Sequence, residues 1–312
     1  MATTRMSDVS YLLLAGSDKS FDDAVSAPSM QYWKDAAFVT PATKQVMNFD
    51  TMGALGPAQR HNEENPPSYK KIEFDNRTQI TCYTEENGFK TSQEATMFDL
   101  YDRVKKYSGK PLLDTLVARK EKQVATIYDN MFTSTGADGV YYASNSHPLK
   151  NDATKYNDNL MTAAALSDAT LTSGKNQFYR IYNPAGRIFP TRPTHLLITP
   201  EKQSLALQIL YSALVAYELS NTKNVQNSWE PIKIIVNPHI SNPMNSSVTT
   251  YPWFLLDKTL EAGVTLTTFK GLSLWNEVDE ESYVFKAIAR ETYGVGQIAP
   301  GFGVVANLGT SA

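Results

Sequence analysis

The chain has 312 residues, 42% of them hydrophobic and 20% charged, with a formal net charge of -3. That balance suits a folded chain with one large core or two modest ones, and it excludes a strongly basic nucleic-acid binder. A single cysteine, Cys82, excludes a disulfide framework and a zinc site built on several thiolates.

The first apolar run, Tyr11 to Ala15, is too short for a signal core, and no run approaches the roughly 20 residues needed to span a bilayer. A soluble, unexported protein is expected. Up to about residue 50, Gly, Ser, Asp, Pro and Thr interrupt every apolar stretch, leaving Tyr32, Trp33, Phe38 and Phe49 isolated. Scattered aromatics on a polar segment favour an arm that docks elsewhere over a disordered leader, since disordered tails carry fewer of them. Residues 51–68 are turn and loop chemistry. Two strand-like runs follow, Tyr69 to Phe74 and Thr78 to Thr84, joined through Asp75, Asn76 and Arg77. Ile80 and Cys82 alternate with Thr81 and Tyr83, which predicts a hairpin with one wetter face. A lone hairpin is marginal in water, so this one needs a neighbour to lie on.

Thr91 and Glu94 form a capping box that predicts a short helix to about Val104. The longest helical pattern then runs from Pro111 to Phe132. Leu113, Leu116, Val117, Val124, Ile127, Tyr128 and Met131 share one face. Asp114, Arg119, Lys120, Glu121, Lys122 and Asp129 lie opposite and are expected to meet water or a charged surface. The polar stretch 150–160 is the expected lobe boundary. Beyond it, helix and strand alternate: a helix capped by Ser167, a strand His195 to Ile198, a helix begun by Thr199 and Pro200 that runs to about Leu219, and a strand Ile232 to Val236. Trp253 to Leu256 and Val264 to Phe269 are expected to complete one mixed sheet. From Ser282 the period becomes two, and a bend at Gly294, Gly296, Pro300 and Gly301 leads to a last strand, Val304 to Leu308. These terminal strands are expected to return beside the long helix.

No stretch carries convincing chemistry. Asp138, Ser146 and His147 suggest a hydrolase, but adjacent Ser and His cannot easily face each other and no nucleophile elbow surrounds the serine. Asp138-Gly139 and His147-Pro148 read better as a fixed turn. His61, His195 and His239 lack partners at ligand spacing. The glycines from 294 to 303 precede a strand, whereas a phosphate loop opens a helix. Lys105, Lys106 and Arg119 to Lys122 are interleaved with acidic residues and read as a solvated helix face. No catalytic residue, metal ligand or cofactor is expected.

The ordered motifs resemble those of tailed-bacteriophage major capsid proteins, specifically the phage Mu major head subunit family. The resemblance covers roughly residues 50–312. It rests on Tyr69-Lys70-Lys71-Ile72, Phe89 to Ala95, Pro111 to Phe132, Asp138-Gly139-Val140, Ser146-His147-Pro148, Asn159-Leu160, Leu166-Ser167, Thr194 to Leu210, Ile234 to Pro238 and Trp253 to Leu256, in that order. It implies an α+β chain with the Hong Kong phage capsid fold. The implied parts are an N-terminal arm (1–52), an extended loop (53–90), a peripheral domain (91–155) with a spine helix at 111–132, an axial domain (156–281) and strands returning to the peripheral domain (282–312). It further implies a non-enzymatic subunit that assembles with itself through hexamers and pentamers into an icosahedral shell, in the virion. Partners would be scaffolding, portal and decoration proteins, with weak contact to packaged DNA and none to membrane. The candidate intersubunit contacts are Trp33, Phe38, Tyr69, Lys70, Lys71, Glu73, Arg77, Glu85 and Glu86. A tail, connector or DNA-binding virion protein is the alternative, and a hydrolase using Ser146 and His147 a more distant one.

Overall fold

The computed structural model describes residues 31–50, 76–92, 109–149, 152–189, 191–213, 224–228, 231–241, 250–279 and 284–310, with isolated positions at 19, 21–23, 55, 58–61, 66, 69–72 and 95. Most of the expected arm, Glu73, and the helix expected up to Val104 lie outside the described residues.

In chain order the elements are α1 (Tyr32–Ala36), β1 (Phe38–Pro41), β2 (Val46–Asp50), β3 (Arg77–Thr81), β4 (Tyr83–Ser92), α2 (Gly109–Asp129), β5 (His147–Leu149), β6 (Asp152–Asn157), α3 (Asp168–Phe178), β7 (His195–Ile198), α4 (Gln203–Tyr211), α5 (Val225–Ser228), β8 (Lys233–Val236), β9 (Trp253–Leu256), β10 (Gly263–Asp279), β11 (Val284–Ile298) and β12 (Val304–Asn307). One sheet has the order β1-β10-β11-β4 and another β12-β9-β7-β8, while β2 with β3 and β5 with β6 form separate two-stranded ribbons.

The long helix forms where the period demands it, with Pro111 in its first turn. Its first half buries Leu112, Leu113 and Leu116 against Phe285, Ala287 and Ala289, the inward residues of β11. Its second half buries Val124, Ala125 and Tyr128 in a cluster that includes Trp33, Phe254 and Val264, so that cluster joins the two sheets. Tyr128 stacks on Phe254 at 5.0 Å between ring centres and donates its hydroxyl to the Ala36 carbonyl at 2.6 Å. Burying such a ring contributes about 1.5–3 kcal/mol. A further core fills the space between the second sheet, α3 and α4, around Phe178, Leu196, Ile198 and Trp253. Ser167 caps α3 as its sequence predicts, accepting from Thr170 N–H in a reciprocal capping box.

Several expectations are corrected. The ribbon partner of β3 is β2, in the register Val46 to Thr81 through Asp50 to Arg77; Tyr69 to Ile72 form no strand. Val46 to Asp50 offers an alternating face rich in apolar residues, which suits a strand. Ile80 and Cys82 do face inward and Tyr83 outward, as the alternation requires. Thr91 pairs with Phe285 inside β4, and it is Ser92 whose hydroxyl accepts from Ala95 N–H. Lys120 and Glu121 are buried rather than solvated. Trp253 to Leu256 and Val264 to Phe269 belong to different sheets, because β10 continues for 17 residues alongside β11. The strand β11 does return to the long helix, but β12 pairs with β9 in the second sheet. Gly294 and Gly296 lie within β11, not at a bend. A Cβ on Gly294 would sit 2.6 Å from the Thr81 carbonyl, and one on Gly296 2.8 Å from Ile80, so these glycines let β3 cross the sheet. The turn itself is made by Ala299, Gly301 and Gly303, all at positive φ. The helix α4 ends at Tyr211.

Candidate functional site

The structure brings Asp138 and His147 together, but Ser146 stays apart. His147 Nδ1 lies 2.5 Å from Asp138 Oδ2, and its Nε2 lies 3.0 Å from Asn159 Oδ1. Asn159 donates Nδ2–H to the Tyr142 carbonyl at 2.8 Å and accepts from Ser144 N–H at 2.8 Å, which fixes its oxygen toward the histidine. The place of a nucleophile is therefore taken by an amide. The Ser146 hydroxyl instead contacts that of Ser144 at 3.3 Å. His147 is 2% exposed, and a Cβ on Gly301 would meet its ring at 3.1 Å. The cluster pins the 133–146 loop to β5 and to the turn before β12. It is architecture.

His195 is half-buried with Nδ1 2.9 Å from Thr194 Oγ1, and burial first, then Lys258 and Lys233, hold its pKa below the usual histidine value. Among the described residues no group of three His, Cys, Asp or Glu side chains converges as metal ligands, and no helix is long and apolar enough to cross a membrane.

The contact candidates divide into spent and projecting residues. Trp33 is 8% exposed and packs within its own chain; Phe38 is half-buried at the start of β1, where it pairs with Thr265. Glu85 accepts from Gln123 Nε2 at 2.7 Å, and Glu86 lies 2.8 Å from Arg290. On the ribbon, Arg77 grips Asp50 through Nε at 2.6 Å and Nη2 at 3.1 Å, and this hydrogen bonding holds the Asp50 carboxyl below its usual range. Tyr69, 94% exposed, and Lys70 and Lys71 lie farther along the same excursion. Leu55, Ile72 and Val46 are also exposed. An open cleft of about 830 Å³ lies behind the ribbon, lined by Phe49, Leu55, Ile72, Phe189 and Phe302 among others. A two-stranded ribbon has too little apolar surface of its own to cover these side chains.

One cluster escapes the sequence. Lys120 Nζ lies 2.5 Å from Glu291 Oε1 and sits over the rings of Trp33 and Tyr293 at 4.4 and 5.0 Å. Beside it, Glu121 Oε1 accepts from Trp33 N–H at 3.1 Å. Burial pushes the Glu121 carboxyl up to about 7, against the backbone hydrogen bonds from Trp33 and Tyr32. A tryptophan far upstream of a Lys-Glu pair gives no local signal of this contact.

No family model and no curated protein matches the chain. Solved structures do. A chain of the cyanophage P-SCSP1u capsid matches with a TM-score of 0.61 at 11% identity, covering 92% of this chain and 90% of that one. The cyanophage Pam1 capsid matches with 0.59 at 12% identity over 92% and 94%. The capsid of the native GTA particle matches with 0.55 at 11% identity over 92% and 91%. The likeness spans nearly the whole of each chain, and this chain has the fold of those capsid subunits.

Proposed function

We propose that this chain is the major capsid subunit of a tailed-bacteriophage head, a structural protein that assembles with itself through hexamers and pentamers into a closed shell around double-stranded DNA. The observation that carries this reading is the fold match over 90% or more of both chains to three different capsids. The projecting ribbon and the exposed Tyr69, Leu55 and Ile72 support it, because they need a neighbour that a single chain does not supply. Different surfaces meeting head to tail close into rings, the symmetry that capsomers require. In this reading residues 1–52 are the arm, 53–90 the extended loop, 91–155 the peripheral domain and 156–281 the axial domain. The terminal segment 282–312 is shared, with β11 on the peripheral side and β12 on the axial side. Tyr69, Lys70, Lys71 and Arg77 are the foremost contacts to a neighbouring subunit. The net charge of -3 agrees with weak contact to packaged DNA. Scaffolding, portal and decoration proteins are the expected further partners, and assembly in the bacterial cytoplasm the expected route. Kinship with the phage Mu head subunit rests on the motif order in the sequence.

Negative-stain electron microscopy of the purified protein tests the proposal. Capsomers or shells are expected. A monodisperse monomer at high concentration, with the chain folded, overturns it.

A further inference from the structure

We propose that Glu121 is a proton-operated latch that ties the N-terminal segment Gln31–Ala37 to the long helix, closed when the carboxyl is protonated and loosened when it ionises. The inference concerns the single subunit and does not depend on the capsid reading.

Glu121 is 2% exposed and reaches from α2 to the backbone of α1. Gln31, at the N-cap of α1, makes no side-chain capping bond, so Glu121 satisfies the helix end from another element. Its second oxygen, Oε2, is buried with no hydrogen-bond partner, and Trp33 Nε1 and the Tyr293 hydroxyl are likewise buried and unpaired. The charge count is unbalanced. Two buried carboxylates, Glu121 and Glu291, adjoin one ammonium, Lys120, and that ammonium is committed to Glu291.

The remaining charges around the site do not correct this. On α1, Asp35 is paired with Lys233 of β8 at 3.0 Å, and Lys34 lies over Trp33 at 5.5 Å but is itself exposed. Lys258, after β9, donates to the Lys34 carbonyl at 2.6 Å. On α2, Arg119 is turned to Glu85. An ionised Glu121 is therefore a desolvated charge without its own counterion, which low-dielectric surroundings penalise.

Lifting α1 uncovers Glu121 and returns it to water. Docking of α1 and protonation of Glu121 are then linked. The folded carboxyl titrates at about 7, above its ordinary 4.5. Its contribution to docking is fully present below about 4.5 and is lost as pH rises through about 7. Because α1 leads directly into β1, the latch also sets the near end of the strand that pairs with β10.

Hydrogen exchange on the full chain reads this directly. The amides to follow are Ala37, bonded to the Trp33 carbonyl at 2.8 Å, and Lys34, bonded to Gln31. Their protection, corrected for intrinsic exchange, is compared with that of the β9 amides between about pH 5 and 8. The ratio is expected to fall with rising pH by tens of fold, with a ceiling of about 300-fold set by a carboxyl moving between those two values. In E121Q, which keeps the acceptor and loses the charge, the ratio should stay flat. A constant ratio in the unmodified protein overturns the latch, and so does an E121Q variant with the same decline. If E121Q does not fold, the unmodified protein alone decides.

Discussion

Replacing Lys120 by methionine is the most exacting perturbation of the buried charge cluster. Methionine keeps the apolar stem that runs along Trp33 and Tyr293 but removes the ammonium 2.5 Å from Glu291. Lys120 is 5% exposed and Glu291 8%, so water does not take over the lost pairing. Breaking a buried pair from one side costs about 3–5 kcal/mol, because the surviving charge is left uncompensated. Loss of the two ring contacts adds about 0.5–1 kcal/mol each, partly offset by methionine's own contact with the aromatics. A net loss of about 4 kcal/mol is expected at pH 8, which lowers the unfolding midpoint of a chain of 312 residues by about 6 °C. The assay is chemical denaturation of the subunit, repeated with E291Q in the K120M background. The double variant should recover at least about 2 kcal/mol, because no charge is then stranded against β11. High salt should change little, since the pair is shielded from solvent. A K120M loss under about 1 kcal/mol, or two substitutions that simply add, would refute the reasoning.

Smaller tests follow from single contacts. G294A places a Cβ 2.6 Å from the Thr81 carbonyl and must push β3 off β11, for a loss of about 1–3 kcal/mol by urea titration. G139A meets nothing within 4 Å and carries only the strain of φ 83°, so it should cost about 1 kcal/mol and serve as the control. N159L removes the bonds to Tyr142, Ser144 and His147 from a fully buried position and should cost about 3 kcal/mol or more, read by loss of cooperative unfolding. R77Q releases an exposed pair: stability should not change measurably, while an NMR titration should show the Asp50 carboxyl moving back up toward its ordinary value.

What the sequence made legible is what local periodicity encodes. The helix from Pro111, the capped start at Ser167 and the strands from His195, Trp253 and Ser282 all stand near where their patterns predict. Pairing is a different matter. Nothing local says that Val46 to Asp50 meets Arg77 to Thr81 across the intervening loop, or that β9 and β10, a few residues apart, join different sheets. Lys120 and Glu121 read as surface because a charged pair on a helix ordinarily is; their burial depends on Trp33, 88 residues upstream of Glu121. His147 is equally nonlocal, since its partners are Asp138 and Asn159, while the adjacent Ser146 faces away.

The misread residues share a physical logic. Folded chains ordinarily put charge outside and aromatics inside, and this one inverts the rule at two places. Inside, Lys120 with Glu291, and separately Asp138 with His147, are buried polar contacts between different parts of the chain, and moving one partner leaves the other unpaired. They fix how the N-terminal segment sits on the long helix and how the 133–146 loop meets the turn before β12. Outside, Tyr69, Ile72 and Leu55 lie on an excursion whose ribbon is too thin to cover them. For the capsid subunit proposed above, buried pairing of this kind would hold one shape, and exposed apolar groups on the ribbon would supply a reason to bind the next copy. A shell needs both, because small errors in subunit shape accumulate around a closed ring while apolar contact alone does not select one angle of approach. In the proposed capsid reading the two inversions are complementary requirements, and the residues that violate the usual partition are those to mutate first.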